Sequence, residues 1–598
     1  MPNNPSDGSA ERLDHIRHSL AHLLAAAVLK EFPDAKLGVG PTVENGFYYD
    51  FLLPRAITPD DLKTFEKTMR GFVNKKLPFT GREVSPEEAR KIFANQPFKL
   101  DLINDFTGKG EAGKKKERLT VYETGAPGET PVLTDLCRGG HTENTSEIPA
   151  DGFALDKIAG AYWRGDEKNQ QLQRIYGLAF ESKEALKNYK TLLEEAKKRD
   201  HKVLGPKLDL FTFSELVGPG LPLWTPKGTI LRNVLDDFVW SLRKERGYLR
   251  VDIPHITKKD LYEKSGHWDK FKDELFKIET REGHLYAMKP MNCPHHTQIY
   301  ARKQWSYREL PQRYASTTKV YRDEQSGELS GLSRVLSITQ DDAHVFCRTS
   351  QIKEEIFKIW DIVNAFYSVF GFKLSIRLSL HDPEHFEKYL GTREGWHAAE
   401  EHLRQLVKEH GAEAVEAPGE AALYGPKIDF MGKDAIGRSV QIATIQLDMN
   451  LPERFDLFCI NENGEHERIV MIHAAIMGSI ERFLSVIIEH FAGKFPVWLS
   501  PVQVAILPVS EKFADYGKKV FDELSRADIR AELADANESL GKRIREAEMM
   551  KVPYVLVVGE KEEGGNTVNV RGRMGEEKEM PIEEFLKKLG TEIKEKNL

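Results

Sequence analysis

The sequence predicts an α+β protein of several domains, and three observations carry that expectation. Its 598 residues are enough for about three to five domains at the usual 100 to 200 residues each. Apolar residues make up 40% of the chain, ample for globular cores. Helical and strand-like patterns also alternate in different rhythms along the chain, so that successive regions read as different architectures.

Residues 11–30, ERLDHIRHSLAHLLAAAVLK, have the spacing of an amphipathic helix. A Gly/Pro-punctuated, strand-rich segment follows through VGPTVENGFYYDF, and together they form an α+β domain over 1–182. Residues 183–204 are dense in Lys and Glu and run into LGPKLDL, which reads as a solvated linker helix and then a break. From 205 to 497 come a long helix at about 226–246, strand runs such as SVQIATIQLDM, and helices near 350–370 and 474–492. That content predicts a large, mostly antiparallel α+β domain. At 498–598, apolar strands (QVAILPV, YVLVV) alternate with helices (SEKFADYGKKVFDELSRA, LGKRIREAEMM), the βαβ rhythm of a small α/β domain. No internal repeat or low-complexity tract interrupts this order.

Cys137, Cys293, Cys347 and Cys459 are too few and too scattered for a disulfide framework, so reduced thiols and a cytoplasmic location are expected. The amino terminus has no apolar h-region, and no apolar run approaches the roughly 20 residues that span a bilayer. A membrane partner is therefore not expected. A net charge of −7 excludes a histone-like coat of positive charge. It leaves room for local basic grooves, with KKRDHK at 197–202 and GKRIREAEMMK at 541–551 as candidates, although each taken alone reads first as a solvated helix face.

Three constellations carry chemistry. His18 and His22 are spaced i,i+4 on the opening helix, and Cys137 and His141 have the same spacing in DLCRGGH. Residues four apart share a helical face, so each pair can converge. The set suits either a tetrahedral zinc ion or a metal-free pocket that positions water. Cys293 in MKPMNCPHH, His344 in TQDDAHVFC and His473 in MIHAAIMGS offer the ligand types of a zinc site with an open position, and equally the types of a buried Cys and two hydrogen-bonded histidines. In YRDEQSGELSGLSRVLSITQDD, Arg322 and Glu324 share a strand face and a Gly-containing loop leads to Arg334. A guanidinium for a phosphate and a carboxylate for an adenine amine would suit a nucleotide, and a surface salt-bridge ladder would give the same pattern. No Walker loop and no GxGxxG after a strand is present.

Arg322-Asp-Glu324 resembles the second signature of class II aminoacyl-tRNA synthetases, and GSIER at 478–482 resembles their third. The helix at 226–246 running into VDIPHI resembles the first, which builds a dimer interface. More specifically, HSLAHLL, VGPTVENGFYYDF, DLCRGGH, AGAYWRGD, LQRIYG, MKPMNCPHH, TQDDAHVFC, YGPKIDF and VMIHAAIMGSIERF resemble the threonyl-tRNA synthetases in order and spacing, from about residue 11 to the end.

The resemblance implies an editing domain at 1–182, a linker helix at 183–204, a class II catalytic domain at 205–497 and an anticodon-binding domain at 498–598. It implies zinc on Cys293, His344 and His473, with Asp342 receiving the substrate amine or hydroxyl. Tyr424, Lys427, Gln441, Thr444 and Gln446 would line the amino-acid and adenylate pocket, with Met291 and Arg334 beside them. Arg322 would bind the α-phosphate, Glu324 the adenine and Arg482 the γ-phosphate, with Gln340 near the ATP. His18, His22, Asp135, Cys137 and His141 would form a water-using editing site without a metal. Asn537, Glu562, Arg571 and Arg573 would meet the anticodon. The implied partners are tRNA(Thr), L-threonine, ATP with Mg²⁺ and a second copy of the chain.

The chain departs from the family pattern in places. It is expected to lack the ubiquitin-like domain that often opens these enzymes. Ile338 stands where an aromatic residue commonly stacks on the adenine, a loss of about 0.5–1.5 kcal/mol. Ser330 replaces a usual histidine, and CPHH replaces CPGH. Another class II synthetase would share the ATP motifs without joining the zinc triad to the HSLAHLL/DLCRGGH module. A non-enzymatic RNA-binding derivative would have lost the phosphate arginines or the metal ligands, and Arg322, Arg482 and all three ligands are present.

Overall fold

The computed structural model describes residues 7–107, 119–126, 128–573 and 575–598. The chain forms two compact bodies that divide between Glu194 and Glu195, inside the helix Lys183–Arg199. The first body is built around α1 (Asp7–Glu31). The sequence suggests an amphipathic helix there, but every residue from Ser19 to Val28 is buried. The run of Ala and Leu lets neighbours approach on all sides: the helix Pro59–Asn74, capped by Thr58 and Asp61, packs on α1 together with the strand Gly46–Leu52. That strand pairs antiparallel with Gln171–Ala179, which pairs with Phe153–Tyr162. A separate three-stranded sheet, Phe79–Val84, Leu119–Thr124 and Leu133–Leu136, delivers the DLCRGGH segment.

In the second body, Thr225 caps α2 (Pro226–Lys244), with Pro226 in the first helical position. α3 (Cys293–Tyr300) is short and largely buried. Five strands, β1 (Gln312–Tyr321), β2 (Ser337–Cys347), β3 (Lys427–Lys433), β4 (Ser439–Asp448) and β5 (Val470–Ser479), pair antiparallel in the order β1-β2-β5-β4-β3. α4 (Ile480–His490) follows β5 directly, capped by Ser479 accepting from the Arg482 N–H. Two further strands, Lys373–Leu380 and Ala414–Pro418, extend the sheet at one edge, and Leu249–Arg250 closes the other. Segment 474–479, read from sequence as the start of a helix, is strand. Its unbroken apolar run fits a central strand buried on both faces as well as it fits a helix, and periodicity does not separate the two.

The pairing of β2 with β5 contains an irregularity that shapes everything beyond it. Asp341 faces Gly478 while Ala343 faces Ala474, so β5 takes four steps where β2 takes two. The Asp341 carboxylate fills the bulge, accepting the N–H groups of Ile476 at 2.9 Å and Met477 at 3.0 Å. Its other oxygen accepts from Arg243, in the last turn of α2, which also donates to the Ala474 carbonyl at 3.2 Å. Asp341 and Arg243 are both buried. The C-terminal part carries a five-stranded sheet in which Ala531–Leu533, Val504–Pro508 and Tyr554–Val558 run parallel, as the βαβ rhythm predicts, and Thr567–Gly572 and Glu577–Pro581 add antiparallel strands.

Arg243→Leu leaves a buried carboxylate without its cation and is expected to cost about 3–5 kcal/mol. Urea unfolding followed by tryptophan fluorescence measures it, and a change under about 1 kcal/mol would show that the bulge stands without the arginine.

Candidate functional site

Across the central sheet, His344 faces His473, His473 faces Gln446, and Gln446 faces Lys427. Directly opposed residues project from the same face, so these four share one side of the sheet. Asp342 and Gln340 join them at alternate positions of β2, and Met291 and Cys293 arrive from the start of α3. All of these but the fully buried His344 border a cleft of about 580 Å³, and every residue assigned above to the catalytic and substrate sets lines it.

The ligand atoms of Cys293, His344 and His473 lie within 4.8 Å of one another, all buried. Their outer partners decide what the imidazoles offer. His473 Nε2 is 2.9 Å from Asp448 Oδ2, so it carries the proton and leaves Nδ1 facing inward as a lone pair. His344 Nδ1 is 2.7 Å from His296 Nδ1, and His296 Nε2 is 3.2 Å from Ser316 Oγ. A relay in which each ring donates outward leaves His344 Nε2 unprotonated toward the cluster. Burial pushes the pKa of His344 well below the usual imidazole value, which favours this neutral form. The two inward nitrogens are then 3.1 Å apart, two lone pairs facing each other, with the Cys293 sulfur beside them. A cation relieves that arrangement, and one thiolate with two neutral imidazoles is a zinc donor set. Without one, burial together with Asp342 and Asp448 pushes the Cys293 thiol far up.

Asp342 accepts from Asn292 Nδ2 at 3.0 Å, and burial raises its carboxyl to about 6. Tyr424 lays its ring on His473, centroids 4.9 Å apart, and its hydroxyl meets Met291 Sδ at 3.3 Å. Asp429, fully buried, is the hub of the neighbouring wall: it accepts from Lys427 at 2.9 Å, Thr444 at 2.7 Å, Gln441 at 2.7 Å and Arg377 at 3.1 Å. Farther along, Glu324 is bound by Arg334 at 2.6 Å, and Glu328 takes the same guanidinium at 3.0 Å.

The first body has a second cleft, about 470 Å³, lined by His18, His22, Lys99, Asp135 and Cys137 among others. Cys137 Sγ is 3.4 Å from His18 Nε2 and 3.3 Å from His141 Nε2. The four ligand atoms of His18, His22, Cys137 and His141 fit within 4.8 Å, close enough for a cation or for one ordered water between them. Asp135 is buried beneath them, held by Lys99 at 2.6 Å and by the Tyr49 hydroxyl, and stands 3.8 Å from His22 Nε2. Burial keeps His18, His22 and His141 neutral and pushes the Cys137 thiol up to about 11.

Three regions match known families: residues 276–491 the tRNA synthetase class II core domain (G, H, P, S and T), residues 503–592 the anticodon binding domain, and residues 119–176 the threonyl and alanyl tRNA synthetase second additional domain. The chain is 47% identical over 588 residues to a threonine–tRNA ligase of Gloeobacter violaceus, covering 96% of this chain and 92% of that protein. The chain belongs to the threonine–tRNA ligase family. A Cytophaga hutchinsonii relative of the same name is 47% identical over 583 residues, covering 96% of this chain and 88% of the other. Among solved structures, the RNA binding domain of threonyl-tRNA synthetase from Cryptosporidium parvum is similar at a TM-score of 0.63 and 38% identity, covering 66% of this chain and 98% of that one.

For a member of this ligase family, several residues sit differently from the reading of the sequence. Cys137 and His141 do not share a helix: the strand Leu133–Leu136 ends just before them, and Gly139 (φ +99) and Gly140 (φ +84) turn the chain so that the imidazole folds back onto the thiol. Arg322 and Glu324 lie beyond the end of β1 in extended chain, with the Arg322 N–H bonded to the Leu336 carbonyl at 3.0 Å. Asn537 is exposed, Arg571 pairs with Glu577 at 3.2 Å, and Glu562 caps the Gly559 N–H at 2.9 Å. Arg573 gives its two terminal nitrogens to the Phe495 and Lys551 carbonyls, which turns the guanidinium into the protein and anchors the C-terminal sheet to the segment before it. The sequence reading missed His296, Asp448, Asn292, Asp429, Arg377, Lys99 and Tyr49. The second histidine of CPHH and the Asp of QLDM adjoin recognised motifs, but only the sheet register shows whom they face.

With its thiol raised to about 11, Cys137 is protonated through neutral pH, and its alkylation by iodoacetamide is expected to stay slow up to pH 9 and then accelerate. Peptide mass spectrometry against pH reads this. Fast labelling at pH 7 would reveal a stabilised thiolate instead.

Proposed function

We propose that the chain activates L-threonine with ATP and Mg²⁺ to threonyl-adenylate, transfers it to tRNA(Thr), and hydrolyses seryl-tRNA(Thr) in its first body. The observation that carries this reading is the pair of inward ring nitrogens of His344 and His473, 3.1 Å apart beside Cys293 and Asp342, at one end of a cleft that also holds Arg322 and Arg482. The threonine carboxylate attacks the α-phosphorus and pyrophosphate leaves, a step that asks for positioning and charge stabilisation more than covalent help. Arg322 holds the α-phosphate, Arg482 the γ-phosphate, and Glu324 accepts the adenine amine. Asp342, Tyr424 and the Asp429-braced wall of Lys427, Gln441 and Thr444 orient the amino acid and the adenylate. Gln446, held to the Gly425 carbonyl at 3.0 Å, closes the floor, and Gln340 stands beside Asn292.

Cys293, His344 and His473 would hold one zinc ion, which when bound offers an open position to the amine and hydroxyl of threonine that the methyl of valine cannot use. Serine carries the same two groups and is smaller, so a pocket that admits threonine cannot exclude it by size. A second, hydrolytic site answers that problem. In the first body, neutral His18, His22 and His141 can orient a water, and His18, shifted less than the other two, can accept its proton, while Lys99 and Tyr49 hold the Asp135 carboxylate in place. In the C-terminal domain, Asn537, Arg571 and the capping Glu562 are the candidates for anticodon contact. The reading extends to a homodimer formed through α2 and to a cytoplasmic location; among the described residues no helix is long and apolar enough to cross a membrane.

Pyrophosphate exchange into ATP is expected with threonine, more weakly with serine and almost not at all with valine, and Cys293→Ala should abolish it. Folded, zinc-replete protein that exchanges with none of the three would refute the enzyme reading. Asp448→Asn, which frees His473 from its outer partner, should weaken zinc binding on the order of 10–100-fold in a chelator competition. Lys99→Met should slow seryl-tRNA hydrolysis by about 10²-fold and leave threonine exchange intact.

A further inference from the structure

His201, in the basic run 197–202, belongs to neither cleft, yet both of its ring nitrogens are engaged. It opens the short helix His201–Lys207 and is 3% exposed. Nδ1 lies 2.6 Å from Glu489 Oε1, and the His201 backbone N–H reaches the same oxygen at 3.2 Å. A carboxylate accepts, so Nδ1 carries the proton and Nε2 keeps its lone pair. That lone pair accepts the Leu332 N–H at 3.1 Å. Asp200, His201 and Glu489 crowd together like metal ligands, but an imidazole bonded in this way has no lone pair left to give.

Leu332 stands in the middle of a tight turn. The Ser330 N–H meets the Arg334 carbonyl at 3.1 Å, and the Arg334 N–H returns to the Ser330 carbonyl at 3.3 Å. Gly331 takes φ +52, and a Cβ there would stand 2.4 Å from His201 Nε2, so the turn descends onto the ring as closely as a glycine permits. Two residues beyond the bonded N–H, Arg334 reaches Glu324. Glu489 sits near the end of α4, whose first turn carries Arg482, and its other oxygen is held by Arg438. His201 thus ties the far end of α4 to the loop bearing Arg334, and Arg334 and Arg482 face one cleft.

We propose that His201 is a positioning residue for ATP: it fixes the turn 330–334 so that Arg334 and Glu324 meet the nucleotide in one geometry. This rests on the reading of the cleft as a nucleotide site. Asparagine puts an amide where Nδ1 stands and keeps the bond to Glu489, but cannot reach Leu332. Glutamine puts a carbonyl oxygen near the place of Nε2 and restores the acceptor.

The test uses the full chain, with ATP affinity from calorimetry and KM for ATP and threonine from exchange. His201→Asn is expected to raise the Kd and KM for ATP about five- to tenfold, the effect of one lost hydrogen bond to a loop, and to move the threonine KM less than about twofold. His201→Gln should recover most of the loss. In an Arg334→Ala background, His201→Asn should add less than about twofold, because the histidine acts through that arginine. Gly331→Ala, which displaces the turn from the other side, should reproduce the rise and keeps the test readable if the Asn variant does not fold. Unchanged ATP affinity in these variants, equal losses for ATP and threonine, or full multiplication with Arg334→Ala would overturn the proposal. A wild-type chain that binds ATP but exchanges with no amino acid would refute the threonine reading alone, since calorimetry still decides the role of His201; one that binds no ATP would remove both.

Discussion

The buried pair of Arg243 and Asp341 is the constraint on which the cleft depends. A regular antiparallel partner for β2 would carry β5 straight on, with Ile476 and Met477 bonded into the ladder. Instead two extra residues bow out, and their N–H groups need an acceptor in a place water does not reach. Asp341 supplies it, and a carboxylate there is tolerable only because Arg243 from α2 neutralises it. The bulge then lets Gly478 and Ser479 reach the cleft edge, where Ser479 caps α4 and Arg482 faces inward. The placement of Arg482 on the cleft is in this way an outcome of hydrogen-bond satisfaction several residues earlier in the strand.

Both clefts use the same device in different forms. Each gathers imidazoles and one thiol within a few ångströms, and each fixes orientation from behind: Asp448 and His296 in one, the Asp135–Lys99–Tyr49 group in the other. The difference lies in what the lone pairs face. In the sheet site two inward ring nitrogens stand 3.1 Å apart next to a sulfur, a donor set compatible with a cation. In the other, the thiol lies between two rings and a paired carboxylate lies below, a setting in which a water can be gripped and deprotonated.

The same distinction governs the polar wall around Asp429. Lys427, Thr444, Gln441 and Arg377 each belong to a strand whose pattern reads only as alternation, but they converge on one carboxylate because the strands register as they do. Mutations at Asp429 would disturb Lys427, Gln441 and Thr444 on the cleft wall, and Arg377 behind it, together, a non-additivity that follows from a shared partner.

By itself the sequence determined the α+β class, the order of the regions, the helix α2, the βαβ rhythm of the C-terminal sheet, and many of the side chains that line both clefts, though not Lys99 or Tyr49. These follow from local periodicity, capping and turn chemistry, and from motifs whose residues sit close together in the chain. Only the tertiary structure decided that 474–479 is strand, that Cys137 and His141 meet through a glycine turn, that Arg573 is spent on backbone carbonyls, and that His201 closes on Leu332 from 131 residues away. Each of these turns on which partner a polar group finds across the fold. A buried donor or acceptor must be satisfied somewhere, but local sequence does not say where.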